Sequence, residues 1–195
     1  MTSRELLGIL HVAERLKDAT RHCDTSGGRR ESVADHSWRL ALMAFFLRDA
    51  FPDADMDKVI RMCLVHDLGE AFTGDIPSFL KTTEDEQREE DLLGAWVRAL
   101  PAPYAAELEA LYAEMAARET TEARIYKALD GLEAVIQHNE SDLASWSENE
   151  YALNLTYAAD RCEPFPPLKS LREAIRADTE EKLRAGGVEM QNLKE

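Results

Sequence analysis

In segment after segment of this chain, apolar residues recur at steps of three and four, and short clusters of turn-forming residues separate the segments. Leu6, Leu7, Ile9, Leu10, Val12, Ala13 and Leu16 follow this spacing within residues 3–18 and predict an amphipathic helix. Ser32-Val33-Ala34-Asp35 reads as a helix start with Asp in place of the usual Glu, and the helix it opens runs to about Ala50. After the break at Phe51-Pro52-Asp53, a third helix is expected from about Asp55 to Ala71, with Val59, Ile60, Cys63 and Leu64 on its buried side, ended by Thr73-Gly74-Asp75-Ile76-Pro77. Helices are expected over 84–99, through Leu108, Leu111, Tyr112 and Met115, and over about 121–140, capped by Thr120 or Thr121. A last helix within 167–185 stops at Gly186-Gly187. Arg21 to Glu31 reads as a loop carrying Arg21, Arg29 and Arg30, and 141–165 stays ambiguous. With only 9 Gly and 7 Pro, regular structure should dominate, and the excess of aliphatic residues and Ala favours helix over sheet. The pattern has no repeat or dividing linker. The fold class expected is all-α, a helical bundle in one domain over 1–195, capped by its C-terminal helix.

The formal charge of −15 disfavours binding to an extended nucleic acid, because such a surface repels a long polyanion. A small anionic substrate remains compatible, since local Arg or a metal overrides the global field. Cys23, Cys63 and Cys162 are too few and too scattered for a disulfide framework or a Cys-rich zinc site, and their odd number fits a reducing cytoplasm. The first residues carry early charges and no long apolar core, unlike a signal peptide or anchor. The longest apolar run, Leu40 to Leu47, is too short to span a bilayer, so no membrane association is expected.

Four residues have the chemistry of a metal site: His36, the adjacent pair His66-Asp67, and Asp130. Neighbours on a helix point about 100° apart, so His66 and Asp67 can share an ion only at the edge between their faces, with other helices closing around it. Two imidazoles and two carboxylates suit one divalent transition metal (Mn, Co, Fe, Ni, Cu or Zn) better than Ca or a thiolate metal. Each residue also has a plain structural reading: a hydrogen-bonded core histidine, or Asp130 paired with Lys127 one turn away. Together they favour the metal site.

Three blocks give that set its context: Glu31-Ser32-Val33-Ala34-Asp35-His36-Ser37-Trp38-Arg39-Leu40-Ala41, His66-Asp67-Leu68-Gly69-Glu70-Ala71, and Thr73-Gly74-Asp75-Ile76-Pro77. A later block holds Thr121-Glu122-Ala123 and Lys127-Ala128-Leu129-Asp130. In order and spacing these resemble the HD-domain superfamily, and within it the YfbR-like 5′-deoxynucleotidases, over about residues 3–140. The resemblance implies a single HD domain with its motif core at about 30–140. It also implies a metal-dependent phosphohydrolase that releases phosphate from deoxyribonucleoside 5′-monophosphates, generally as a homodimer. His36, His66, Asp67 and Asp130 would match the metal ligands, Glu70 and Asp75 the catalytic carboxylates, and Arg21 the phosphate contact. The family commonly places an aromatic residue soon after that Arg. Here the chain reads Arg21-His22-Cys23-Asp24, which puts base stacking and the deoxyribose preference in question.

The residues support this chemistry in their own right. A divalent ion acidifies bound water and polarises a phosphoryl oxygen. Glu70, four positions after His66, can orient the water or move its proton, and Asp75 can meet the leaving group. Their structural alternatives are a solvated helix-end acid and a turn-former. Arg21 suits phosphate oxygens, with a surface loop Arg as its alternative, and Lys127 could also reach the phosphate. Arg29 and Arg30 read as solvated, and Cys63 as core. No histidine falls between His66 and His138, a stretch that holds extra ligands in di-metal HD proteins. Trp38, Trp96 and Trp146 read as core or interface, and the helix around Phe45 and Phe46 or the C-terminal helix could form a dimer contact. The rival functions are a metal-dependent oxygenase on the same fold and a non-catalytic nucleotide-binding module.

Overall fold

The computed structural model describes residues 1–77, 80–189 and 193. Helix α1 (Ser3–Glu14) begins with a capping box between Thr2 and Glu5. Strands β1 (Thr20–Asp24) and β2 (Arg30–Ser32) form an antiparallel hairpin. Then come α2 (Val33–Leu47), α3 (Met56–Val65), the single turn α4 (Glu70–Thr73), α5 (Thr83–Arg98) and α6 (Tyr104–Ala117). The chain ends with α7 (Thr121–Glu140), α8 (Glu148–Thr156), the short α9 (Ala159–Cys162) and α10 (Pro166–Ala185). The all-α architecture holds, with the hairpin its one small sheet among the described residues.

Helix α7 lies at the centre. Ten of its residues are buried, more than one face can supply, because α2 and α3 pack on one side of it and α10 on another. Leu40 and Ala44 of α2, Val59, Met62 and Cys63 of α3, and Ile125, Leu129 and Leu132 of α7 fill the core, with Leu168 and Ile175 of α10 closing it. Ser32 caps α2 through a box with Asp35, as the sequence predicts, and Thr120 caps α7. Pro166 and Pro167 open α10 where their missing N–H groups cost nothing.

Two predicted segments differ. The loop expected over Arg21 to Glu31 is largely the hairpin, with Gly28 (φ 81°) at its tip in a conformation that glycine adopts without strain. Pairing puts Arg21 and Cys23 on one face, where both donate to Glu31 Oε2, at 3.0 and 3.1 Å. The third helix stops at Val65 instead of running to Ala71. The carbonyls that a continuing helix would use are taken by side chains: Tyr112 donates to Val65 O at 2.6 Å and His66 Nδ1 lies 2.9 Å from Cys63 O. Residues 66–69 tighten into turns, with Leu68 N to Val65 O at 3.1 Å and Glu70 N to Asp67 O at 3.0 Å. Leu64, expected inside, is 57% exposed.

Apolar surface remains on α1 and α2. Helix α1 buries none of its residues, and Leu6, Leu7 and Leu10 are exposed. On α2, Trp38 and Phe46 are exposed by 64% and 74%. No helix among the described residues is long and apolar enough to cross a membrane.

Candidate metal centre and active site

At the end of α3 two adjacent side chains meet: His66 Nε2 and Asp67 Oδ2 lie 2.9 Å apart, at the edge between their two faces. From α2, His36 Nε2 stands 3.2 Å from His66 Nε2 and 3.8 Å from Asp67 Oδ2. Asp130, from α7, closes the group: its Oδ1 is 3.2 Å from His36 Nε2 and 3.6 Å from His66 Nε2. Donors bonded to one ion at about 2.0–2.2 Å stand roughly 2.8–3.6 Å apart. The ligand atoms of His36, His66 and Asp67 lie within 4.8 Å of one another, a group that could hold a metal ion, and Asp130 stands beside both histidines.

The far side of each imidazole fixes its orientation. His66 Nδ1 faces the Cys63 carbonyl, and His36 Nδ1 hydrogen-bonds Glu133, so both Nε2 atoms are free for a metal. Glu133 is fully buried and also accepts from Arg39 Nε at 2.6 Å. Glu31, 1% exposed, lies beside it against Arg21 and Cys23. The role of Glu133 was missed from the sequence. Its signal was there: a carboxylate one turn after Asp130, inside a stripe of Leu129, Leu132 and Val135.

The electrostatics call for a cation. Burial opposes ionisation of Asp130, yet Lys127, His36 and His66 outweigh it and hold the carboxyl well below its usual range. Asp67 is likewise lowered against burial, chiefly by His66 and His36. Burial works against the charged form of His66 too, but Asp67 and Asp130 push it up to about 10. The imidazoles thus gather protons to compensate the carboxylates, and a divalent ion supplies that charge instead.

Glu70 and Asp75 line the cavity beside this group, together with Arg21, Lys81 and Lys127. Glu70 is 7% exposed, not a solvated helix-end acid. Its Oε2 has no hydrogen-bond partner among the described residues. Burial, reinforced by Asp67 and Asp75, pushes its carboxyl up to about 10. Asp75 follows Gly74 (φ 76°) and is also raised by burial and by Asp67, with Arg21 offsetting in part. Arg21 sits on β1 rather than in a loop; its Nη1 is 3.7 Å from Asp67. Lys127 Nζ is 2.7 Å from Asp130 Oδ2, so the ion pair weighed from sequence exists and lies at the cavity wall. Arg29 and Arg30 are exposed, pairing with Asp35 and Asp24. Cys63 is core. The cavity, about 290 Å³, is at the small end of ligand sites, which run to roughly 300–1,000 Å³.

Known proteins resemble this chain in sequence and in fold. A family model described as an HD domain matches residues 13–164. The human protein named 5′-deoxynucleotidase HDDC2 is 32% identical over 142 residues, 71% of this chain and 69% of that one. Its namesake in Dictyostelium discoideum is 31% identical, covering 76% and 83%. A crystal structure described as a predicted metal-dependent phosphohydrolase from Magnetospirillum magnetotacticum superposes with a TM-score of 0.75 at 30% identity, covering 95% of this chain and 97% of that one. The chain belongs to the HD-domain family, among relatives that are 5′-deoxynucleotidases.

Proposed function

We propose that the protein is a metal-dependent 5′-deoxynucleotidase, hydrolysing deoxyribonucleoside 5′-monophosphates to deoxyribonucleoside and phosphate. The observation that carries this reading is the convergence of His36, His66, Asp67 and Asp130 beside a cavity that Asp67 and Asp130 line together with Arg21, Lys127, Glu70 and Asp75. The mixed N/O donor set suits one transition metal from Mn to Zn. Such an ion, when bound, supplies an acidified water and neutralises phosphoryl charge.

The chain's own groups do the rest. Arg21 and Lys127 bind and orient the phosphate, countering its charge where the carboxylates would repel it. Glu70 Oε2, buried and without a hydrogen-bond partner among the described residues, would take the proton of the attacking water once Arg21 and a bound cation offset the charges of Asp67 and Asp75 that raise its carboxyl. Asp75, itself raised by burial, would give its proton to the 5′-oxygen as the ester bond breaks. Glu133 holds the His36 ring in place.

The exposed apolar residues of α1 and α2 (Leu6, Leu10, Trp38 and Phe46) fit a homodimer contact, which light scattering on a Phe46→Glu variant tests. Three buried free cysteines agree with a cytoplasmic setting. The deciding experiment is phosphate release from deoxy- and ribonucleoside 5′-monophosphates, with Mn, Co, Mg or Zn added to chelator-stripped protein. Metal-dependent release favouring deoxyribose is expected; no release with any metal would overturn the reading.

A further inference from the structure

The cavity lining includes more than the charged groups already described. Part of it comes from the ends of α7 and α8, where His138, Glu150, Leu153, Asn154 and Tyr157 line the same space. No step of the proposed hydrolysis uses these residues.

Asn154 stands apart among them. It is 3% exposed, and its side-chain amide nitrogen has no hydrogen-bond partner among the described residues. An unmet buried donor is destabilising, and one in a cavity wall can be met by an acceptor on whatever fills the cavity.

The surroundings of Asn154 are already committed. Arg172 of α10 donates to the Asn154 carbonyl at 2.9 Å and to the Tyr157 carbonyl at 2.8 Å, which ties down the end of α8. Glu150, one turn earlier, accepts from the Ser147 amide and hydroxyl through Oε2, at 2.6 and 2.9 Å. Its Oε1 meets His138 Nε2 at 2.9 Å and His22 Nε2 at 3.3 Å. The end of α8 is thus held before any ligand arrives, and the Asn154 amide is a buried donor without a hydrogen-bond partner among the described residues, flanked by the apolar surface of Leu153 and the ring of Tyr157. A flat heteroaromatic ring with acceptors on its edge matches that combination. A phosphate does not, and it has its own partners in Arg21 and Lys127.

We propose that this wall is a nucleobase subsite, and that Asn154 is a specificity-determining residue whose amide N–H donates to a ring nitrogen or carbonyl oxygen of the base. This rests on the nucleotidase reading above. It also assigns a task to the segment after residue 140.

The test compares the metal-loaded wild-type enzyme with Asn154→Ala and Asn154→Asp on two substrates. One is a deoxynucleoside 5′-monophosphate; the other is 2-deoxyribose 5-phosphate, which has the same phosphate and sugar but no base. Both variants should raise KM for the nucleotide roughly 3- to 10-fold, the worth of one neutral hydrogen bond, and leave the sugar phosphate unchanged. Asn154→Asp keeps the shape and removes the donor, so it carries the test even where the alanine variant unfolds. An unchanged nucleotide KM overturns the proposal, and so does an equal loss on both substrates. A wild-type enzyme inactive on every nucleotide overturns the nucleotidase reading itself, a failure distinct from that of the variants.

Discussion

Asp130 and Glu133 lie one turn apart on α7 and divide the work around one histidine. Asp130 stands on the Nε2 side of His36 and Glu133 on its Nδ1 side. A ring gripped from behind presents its free nitrogen in one direction, which lowers the entropy lost when an ion binds. Burial opposes ionisation of Glu133, but His36 above all, with Arg39 and Arg21, holds its carboxyl below the usual range. Removing the charge while keeping the shape should therefore loosen the ring without emptying the core. Glu133→Gln is expected to weaken metal affinity about 10- to 100-fold with helical content intact. Competition against a chelating dye measures the first, and circular dichroism the second; unchanged affinity would leave Glu133 with only a packing role. Glu150 makes a prediction of another kind. Burial opposes its ionisation, but hydrogen bonds from His138 and Ser147 outweigh burial and hold it at about 2, below the usual 4.5. A depressed carboxyl contributes stability above pH 4.5 that is lost as pH falls toward 2. Melting curves across that range should show a shallower loss for Glu150→Gln, which starts from a lower stability near neutrality.

Elements place these residues, and one glycine shows how tightly. A Cβ added at Gly131 would stand 2.5 Å from the Ala158 Cβ, closer than real contacts allow. The absence of a side chain there lets α7 approach the corner between α8 and α9, next to Asp130. Gly131→Ala gains helix propensity of about 1 kcal/mol. Overpacking at so rigid a contact costs about 1–3 kcal/mol, so net destabilisation is expected, with metal affinity falling as Asp130 is displaced. A variant as stable as the parent would show that the corner yields. The elements also divide by how much of them the sequence discloses. The start of α2 was legible because Ser32 and Asp35 act within four residues of each other, and α7 because its apolar period runs for twenty. The end of α3 was not, since Tyr112, 47 residues away, captures the Val65 carbonyl. The hairpin was hidden because its strands are short, polar and joined by turn residues that read equally well as loop. All the residues proposed as metal ligands and catalytic groups lay in quoted motif blocks. Glu133 and Asn154 lay outside them: their significance depends on what faces them across the fold, and no local pattern carries that.

At the scale of the molecule, the metal group joins three helical elements that also meet through the apolar core and through the ion pairs of Arg39 with Glu133 and of Lys58 with Glu122. His36 comes from α2, His66 and Asp67 from the turn ending α3, and Asp130 from α7. A cation bound there ties the central helix to its two neighbours. Because the set exists only when all three are packed, the ion binds the folded state and not the unfolded chain. Its binding energy then adds to stability as RT ln(1 + [M]/Kd), about 2.7 kcal/mol at a hundredfold excess over Kd. Chelator-stripped protein should melt several degrees lower than protein resupplied with Mn, Co or Zn, with the gap widening as metal concentration rises. His66→Ala removes one donor beside the cavity while the apolar contacts of Val59, Met62 and Cys63 remain, so the variant should keep its helical content yet lose the metal-dependent shift. A net charge of −15 attracts divalent ions non-specifically as well, and that weaker stabilisation would persist in the variant and be screened by salt. Calorimetric scans of both proteins at low and high salt separate the two effects. A shift that survives in His66→Ala at high salt would mean that the ion holding the helices together sits elsewhere.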